Sequence, residues 1–290
     1  MILPPFEYFR PGTTQEALGL LAEKREAMRP LAGGTDLLVL MKEGRLRPSA
    51  LLSLRDLAEL RAIDTDGPVC TVGAGTTVTA ISRSAVPASN PAFRDITPQM
   101  ATPQIRNRAT IGGNLCTAAA CADFPPVLLI NDATVKLQSV GGTRDVPLSS
   151  FFEGPRKTSR RPDELLVSIT FKKRNPGSAY VKLGVRNAVN IAIVGVAGAV
   201  EVMDGLITDL RLAVTAAHPI PLLVSGVRDV ALGQRPEKAT WERVADTVCR
   251  SLTPISDLRG SAEYRLHLAK VATIRALQTA FRRWEEAAHA

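Results

Sequence analysis

Two short glycine-paired segments constrain this chain more than any other feature: Ala32-Gly33-Gly34-Thr35-Asp36 and Thr110-Ile111-Gly112-Gly113-Asn114. The first lies between a strand ending at Leu31-Ala32 and an apolar helical run from Leu37 to Lys42. Glycines at such a junction let the backbone come close to a phosphate, and the start of the following helix offers unpaired N–H groups to an anion. Taken alone, a glycine pair serves equally well as a simple tight turn. The second segment repeats the formula of two glycines flanked by a hydroxyl and an amide, about eighty residues further on. Two such loops are able to grip one diphosphate from opposite sides. A third pair, Gly73-Ala74-Gly75, follows the strand Val69 to Val72, but Val78 stands where the dinucleotide fingerprint needs its third glycine, so a Rossmann reading is rejected. There is no Walker A lysine motif, no G-x-S-x-G elbow and no paired metal ligands. The sequence thus offers cofactor-binding signals without a general base or nucleophile, and a bound cofactor has to carry the chemistry.

Around these loops the chain is organised in two parts. Thr13-Thr14-Gln15-Glu16 is a capping box, and Ala17, Leu18, Leu21 and Ala22 continue it at helical spacing. A second strand follows at Ala50 to Leu54, which makes a small strand-glycine-helix-strand unit. From Val69 to Gln138 the pattern predicts short β-rich pieces, with a turn at Thr110 to Asn114 and a helical turn near Pro125 to Ile130. After a strand at Leu165 to Phe171, Asn175-Pro176-Gly177 punctuates the chain as a boundary. Strands are expected at Ser178 to Leu183, Ile191 to Val202 and Leu206 to Thr215, the last two joined by a Met203-Asp204-Gly205 hairpin turn. A C-terminal helix carries Tyr264, Leu268, Val271, Ile274, Leu277, Phe281 and Trp284 at steps of three or four, a stripe for core or interface. The expected domains are 1–175, divided into a small α/β subdomain 1–56 and a larger β-rich subdomain 57–175, and 176–290.

Composition narrows the function classes. With 45% hydrophobic residues in 290, the chain is long enough for two cores and is not a disordered tail. The longest apolar run, Ile191 to Val200, is too short for a membrane span, and the segment from Met1 to Pro5 lacks a basic n-region, so the expected location is the cytoplasm. Cys70, Cys116, Cys121 and Cys249 read as reduced thiols, and the scattered His218, His267 and His289 leave little for a zinc site or a His-based triad. The net charge of +8 is concentrated between Phe151 and Asn190, where nine basic residues (Arg156, Lys157, Arg160, Arg161, Lys172, Lys173, Arg174, Lys182, Arg186) face three acidic ones. That stretch lacks stacking aromatics and any helix-turn-helix or zinc-finger pattern. It reads as a docking face for an acidic partner or ligand, or as a solvated surface.

In order along the chain, Phe6-Glu7-Tyr8 with Pro11, Ala32 to Asp36 with Leu37-Leu38 and Met41-Lys42, Gly73 to Thr77, Gln104 to Asn107, Thr110 to Leu115 and Ala122-Asp123 before Pro125-Pro126 form a pattern. Lys182, Arg186, Ala216-Ala217 and Leu258 to Arg265 extend it. The pattern resembles the FAD-binding medium subunit of molybdenum-containing hydroxylases, the xanthine dehydrogenase and carbon monoxide dehydrogenase group, over essentially the whole chain. The resemblance implies an α+β protein: a vanillyl-alcohol-oxidase (PCMH)-type FAD-binding fold followed by a flavoprotein domain with a three-stranded antiparallel sheet and a helix bundle. It also implies that the two glycine loops, Ala32, Gly33, Gly34, Thr35, Asp36 and Thr110, Ile111, Gly112, Gly113, Asn114, hold the FAD pyrophosphate. Ala101 and Ile105 join the cofactor contacts, Asp123 lies near the ribityl-phosphate region, Leu166 touches the flavin ring and Lys182 stands beside it. No catalytic side chain and no metal are expected in this chain. A molybdenum-pterin large subunit, a [2Fe–2S] small subunit, assembly as a dimer of heterotrimers and a small-molecule electron acceptor are implied. Two departures stand out. Asn190 replaces an acidic residue found near the flavin in several relatives, which bears on the acceptor. Cys116 and Cys121 mark the place where one branch of the family inserts a cluster-binding loop, and two thiols are fewer than a [4Fe–4S] cluster takes, so no cluster is expected. The rival readings are a free-standing FAD-dependent oxidase and a basic nucleic-acid-binding protein.

Overall fold

The computed structural model describes residues 3–173, 176–186 and 189–289. Asn175 of the expected boundary and Arg174 of the basic stretch lie outside the described residues. The first layer is a parallel sheet, order β1-β3-β2, built from β1 (Glu7–Phe9), β2 (Met28–Leu31) and β3 (Ala50–Ser53). Helices α1 (Thr14–Lys24) and α2 (Leu37–Lys42) connect these strands. The expected capping box is present in altered form: Thr13 Oγ1 accepts from Glu16 N–H at 3.1 Å, while the Glu16 carboxylate accepts from Gly12 N–H at 2.9 Å. Ala17, Leu18 and Leu21 of α1 are buried against Met28, Ala50 and Leu52, so the apolar spacing read from the sequence forms this core.

The second layer is an antiparallel sheet, order β4-β5-β10-β6-β7. It comprises β4 (Ile63–Asp64), β5 (Val69–Gly73), β6 (Thr134–Ser139), β7 (Gly142–Pro147) and β10 (Leu165–Lys172), with a separate small pair β8 (Phe152–Gly154) and β9 (Lys157–Thr158). The stretch between β5 and β6 corrects the expectation of β-rich pieces. It holds α3 (Val78–Arg83), α4 (Val86–Ser89), α5 (Ala92–Gln99), α6 (Pro103–Arg106), α7 (Ile111–Thr117) and α8 (Phe124–Ile130). Prolines at the first helical positions of α4, α6 and α8 start these turns, and none runs longer than 8 residues. Such short helices cannot display a 3.6-residue period; burial holds them. Phe93 stacks on Phe171 at 5.1 Å and meets Phe124 at 6.2 Å, joining α5 and α8 to the sheet.

The third layer is an antiparallel sheet of four strands where three were expected: β11 (Ser178–Leu183), β12 (Val194–Met203), β13 (Leu206–Thr215) and the two-residue β14 (Leu222–Leu223). Asp204 (φ 52°) and Gly205 (φ 74°) form the tight turn between β12 and β13. Helices α9 (Val227–Ala231), α10 (Lys238–Arg250) and α11 (Ala262–Ala288) cover one face. On α11 the fully buried face is Ala269, Ala272, Thr273, Ala276, Leu277 and Ala280, and Tyr264 is exposed. The large residues of the expected stripe, apart from Leu277, flank this face because small side chains let the helix approach β12, where a Cβ on Gly198 would stand 3.5 Å from Leu277.

Candidate functional site

A cleft of about 610 Å³ opens where the three layers meet. The Ala32–Asp36 loop leads from β2 into α2 and forms one wall; Ala74 and Gly75, beyond β5, and the first turn of α7 form the next. Close backbone packing fixes these loops against one another. A Cβ on Gly33 would stand 2.1 Å from the carbonyl oxygen of Arg108, and one on Gly112 would stand 2.7 Å from that of Ala74. Glycine is therefore required at both positions, and at Gly34 the positive φ of 76° adds a conformational reason. The Gly73-Ala74-Gly75 segment, set aside as a nucleotide fingerprint, is the shelf on which the α7 loop rests.

The two glycine loops differ in what they offer an anion. On α7, Ile111 N–H donates to Thr76 O, Gly112 N–H to Ala74 O, Gly113 N–H to Thr110 Oγ1 and Asn114 N–H to Thr110 O, all at 2.9 to 3.0 Å. Those four amides are committed within the chain. Around Gly33, Gly34 and Thr35, no hydrogen bond among the described residues uses the backbone N–H groups, so this loop presents free donors to the cleft. From α7 the cleft receives instead the side chain of Asn114, whose buried Oδ1 has no partner. Asp36 also lines the cleft; loss of hydration raises its pKa, opposed by the charge of Arg156.

At another part of the wall, β11 and the segment before α8 bring three polar side chains together. Lys182 Nζ lies 3.1 Å from the Asp123 carboxylate and donates to Gln99 O at 3.1 Å, and the Tyr180 hydroxyl donates to Asp123 Oδ1 at 2.7 Å. All three are buried. Burial pushes the Asp123 carboxyl up; Lys182 and Tyr180 pull against it without cancelling it. Nearby, an irregularity in β10 between Leu166 and Ser168 breaks the ladder where Leu166 faces the cleft. Glu164, also at the wall, receives two hydrogen bonds from the Arg144 guanidinium at 2.7 and 2.9 Å and one from Arg161 N–H at 2.7 Å.

Of the expected site residues, the structure brings all but Ile111 to this cleft; Ile111 is fully buried in the core beneath α7. Asn190 and Ile191 also reach it, with Asn190 Oδ1 buried and unpartnered. Ile191 lines the cleft because β12 begins only at Val194. Tyr180 and Glu164 are residues that sequence reasoning missed, and Arg156, read there only as part of the basic stretch, lines the cleft. The first is separated from Asp123 by 57 positions, so no local spacing marks the pair. Of the basic stretch, Lys182 is interior, and Arg160 is half-buried, donating to the carbonyls of Arg161 and Glu164; neither belongs to an open docking face. Cys116 and Cys121 are free thiols whose pKa values burial raises, and no cluster of metal-ligating side chains occurs among the described residues.

The free amides at Gly33 to Thr35, the orphaned Asn114 oxygen and the mixed polar and apolar walls fit an elongated ligand with a central diphosphate, as FAD is. Comparison with known proteins agrees. Residues 4–171 match the family model of the FAD binding domain in molybdopterin dehydrogenase, and residues 179–280 match that of the CO dehydrogenase flavoprotein C-terminal domain. The chain is 35% identical over 279 residues to the xanthine dehydrogenase FAD-binding subunit of Escherichia coli O157:H7, covering 94% of this chain and 95% of the relative. It is 32% identical over 286 residues to the carbon monoxide dehydrogenase medium chain of Hydrogenophaga pseudoflava, covering 98% and 99%. Among solved structures, the carbon monoxide dehydrogenase of Hydrogenophaga pseudoflava superposes with a TM-score of 0.94 at 31% identity, covering 98% of this chain and 99% of that one. Quinoline 2-oxidoreductase from Pseudomonas putida 86 gives 0.93 at 28%, covering 98% and 100%. The chain belongs to the family of FAD-binding medium subunits of xanthine and carbon monoxide dehydrogenases, and is thus an FAD-dependent oxidoreductase subunit.

Proposed function

We propose that this chain is the electron-transfer subunit of a molybdenum hydroxylase complex. Substrate is oxidised at a molybdenum-pterin centre on a large partner, and electrons reach this chain through [2Fe–2S] centres on a small partner and leave to a small-molecule acceptor. When bound, FAD supplies the redox chemistry. The chain's own residues bind and orient it: the Gly33 to Thr35 amides and Asn114 hold the diphosphate, Ala101, Ile105 and Leu166 give apolar contact, and Lys182 places a cation beside the flavin ring. Residues 1–175 supply the glycine loops and 176–290 close the wall through Lys182 and Asn190. Assembly as a dimer of heterotrimers in the cytoplasm completes the reading; no helix among the described residues is long and apolar enough to cross a membrane.

One observation carries the choice of an electron conduit over a free-standing oxidase. Among the described residues, no histidine lines the cleft, and its buried carboxylates, Asp123 and Glu164, are both ion-paired. The remaining carboxylate of the cleft, Asp36, sits on the glycine loop assigned to the diphosphate, so neither a histidine nor an unpaired buried carboxylate among the described residues is placed to take a proton from an organic substrate. The test compares the flavin-loaded chain alone with the chain co-purified with its two partner subunits. Xanthine, carbon monoxide and nicotinate are added anaerobically, and the flavin absorbance is followed. Bleaching only in the complex supports the proposal; equally fast bleaching of the isolated chain overturns it.

A further inference from the structure

We propose that Tyr180 is a positioning residue of this cleft: its hydroxyl fixes the Asp123 carboxylate against Lys182, and through that pair it sets the charge beside the cofactor. The inference rests on the reading of the cleft as an FAD site with Lys182 at the flavin. Tyr180 and Lys182 are two residues apart on β11 and so share a face. Asp123 holds the position before the first turn of α8 but makes no capping hydrogen bond, because its carboxylate is turned to Tyr180 and Lys182 instead.

The surroundings are built to seat the phenol. Tyr180 N–H donates to Asp95 Oδ2 at 2.9 Å, and the Arg283 guanidinium grips that same carboxylate at 2.8 and 2.9 Å, tying β11 to α5 and α11. Across the ladder on β12, Gly195 pairs with Lys182, and a Cβ there would stand 2.6 Å from the Tyr180 hydroxyl. Only glycine leaves the ring room to lie over the strand and reach Asp123.

Burial drives the Asp123 carboxyl toward its neutral form, and Lys182 and Tyr180 are the two groups that oppose this. Tyr180 itself is pushed well above its usual value by burial and by Asp123, so it stays a donor throughout the working range. The remaining titratable group close by is Cys121, whose thiol burial and Asp123 both push up, with Arg259 acting on it from the bend before α11. With the hydroxyl removed, Asp123 takes up its proton at a higher pH. The charge of Lys182 is then uncompensated, which favours the reduced flavin.

The experiment is a potentiometric titration of flavin absorbance, with redox dyes, from about pH 6 to about pH 9. It uses the flavin-loaded complex as parent and as Tyr180→Phe, Asp123→Asn, the double variant and Gly195→Ala. At about pH 7, Tyr180→Phe is expected to shift the ratio of reduced to oxidised flavin at fixed potential by about tenfold, or about 30 mV for a two-electron couple. The shift fades as pH rises. Asp123→Asn gives a shift that does not fade, and adding Tyr180→Phe to it changes nothing further. Gly195→Ala, which keeps the hydroxyl but displaces it, follows Tyr180→Phe and decides the matter if that variant loses its flavin. An equal Tyr180→Phe shift in the Asp123→Asn background, or none in any variant, overturns the inference. Absence of flavin from the parent overturns the FAD reading instead.

Discussion

Gly33 and Arg108 meet backbone to backbone, so closely that a single added methyl group on Gly33 would stand 2.1 Å from the Arg108 carbonyl oxygen. The first glycine loop therefore rests on the approach to the second. Gly33→Ala is expected to force the loops apart, at a cost of about 1–3 kcal/mol, and to reduce the flavin content of the purified protein below about a tenth of the parent, because the free amides lose their common aim. Gly19→Ala is the matched control: Gly19 lies in α1 with nothing within 4 Å of its missing Cβ, and alanine there should raise stability by roughly 0.5–1 kcal/mol. Absorbance ratios and thermal melts of the two variants check both expectations, and full flavin loading of Gly33→Ala would refute the first.

The buried Oδ1 of Asn114 has no partner within the chain. A buried acceptor left unpaired costs stability, whereas its removal costs little. Asn114→Leu should leave the flavin-free protein as stable as the parent or more so, and should weaken FAD binding by about tenfold, the worth of about one hydrogen bond. Calorimetric titration of flavin-stripped protein with FAD separates the two effects. A stability loss without an affinity loss would show that Asn114 serves the fold alone.

Burial pushes the Glu164 carboxyl up, but hydrogen bonds from Arg144 and Arg161 and the charge of both outweigh this and hold it below its ordinary value. The unfolded chain therefore takes up this proton more readily than the folded one. The stabilisation is complete above the unfolded value near about 4.3 and disappears as pH falls through the lower folded value. Glu164→Gln should lose about 2 kcal/mol at about pH 7, and the gap should begin to close near about pH 4 and vanish only once pH has fallen below the lowered folded value. Thermal melts across that range decide, and a gap that persists unchanged into acid would point away from the ion pair.

Cys116 and Cys121 line the cleft, yet burial raises both thiols above their usual value. The reactive thiolate is therefore scarce. Iodoacetamide at about pH 8 should label neither residue in the folded, flavin-loaded chain within an hour or so, by mass spectrometry, and both should react in urea. Iron analysis of the isolated chain should give no stoichiometric metal.

Features carried by local chemistry were legible in the sequence. The capping hydroxyl of Thr13, the Asp204-Gly205 turn and the two glycine loops each announce themselves within a few residues. Of the six helices between Val78 and Ile130 only α8, expected as a helical turn near Pro125 to Ile130, was legible; the other five were not, because helices of four to eight residues have little period to display and exist here through burial of residues such as Ile81, Phe93 and Leu115. The face of α11 was legible only in part: Leu268, Ile274, Leu277 and Phe281 of the expected stripe do pack on the core, but the alanines at its most deeply buried positions are less conspicuous in the sequence than these large residues. Ile111 looked like part of the cradle because it sits between Thr110 and Gly112, but in a helix neighbours point in different directions, and its side chain turns inward. Tyr180 and Glu164 acquire their roles only from partners on distant segments.

The Asp95–Arg283 contact bears on how the protein is made. Its partners are 188 residues apart in sequence, and the same Asp95 carboxylate holds the backbone of Tyr180. A chain emerging N-terminus first completes both glycine loops and most of the first two sheets long before α11 exists. Until residue 283 is synthesised, β11 meets α5 through the Tyr180–Asp95 and Ala92–Ser178 hydrogen bonds but lacks the guanidinium that ties both to α11. The diphosphate cradle thus lies wholly in the part of the chain made first, and the wall bearing Lys182 gains its last brace only with α11.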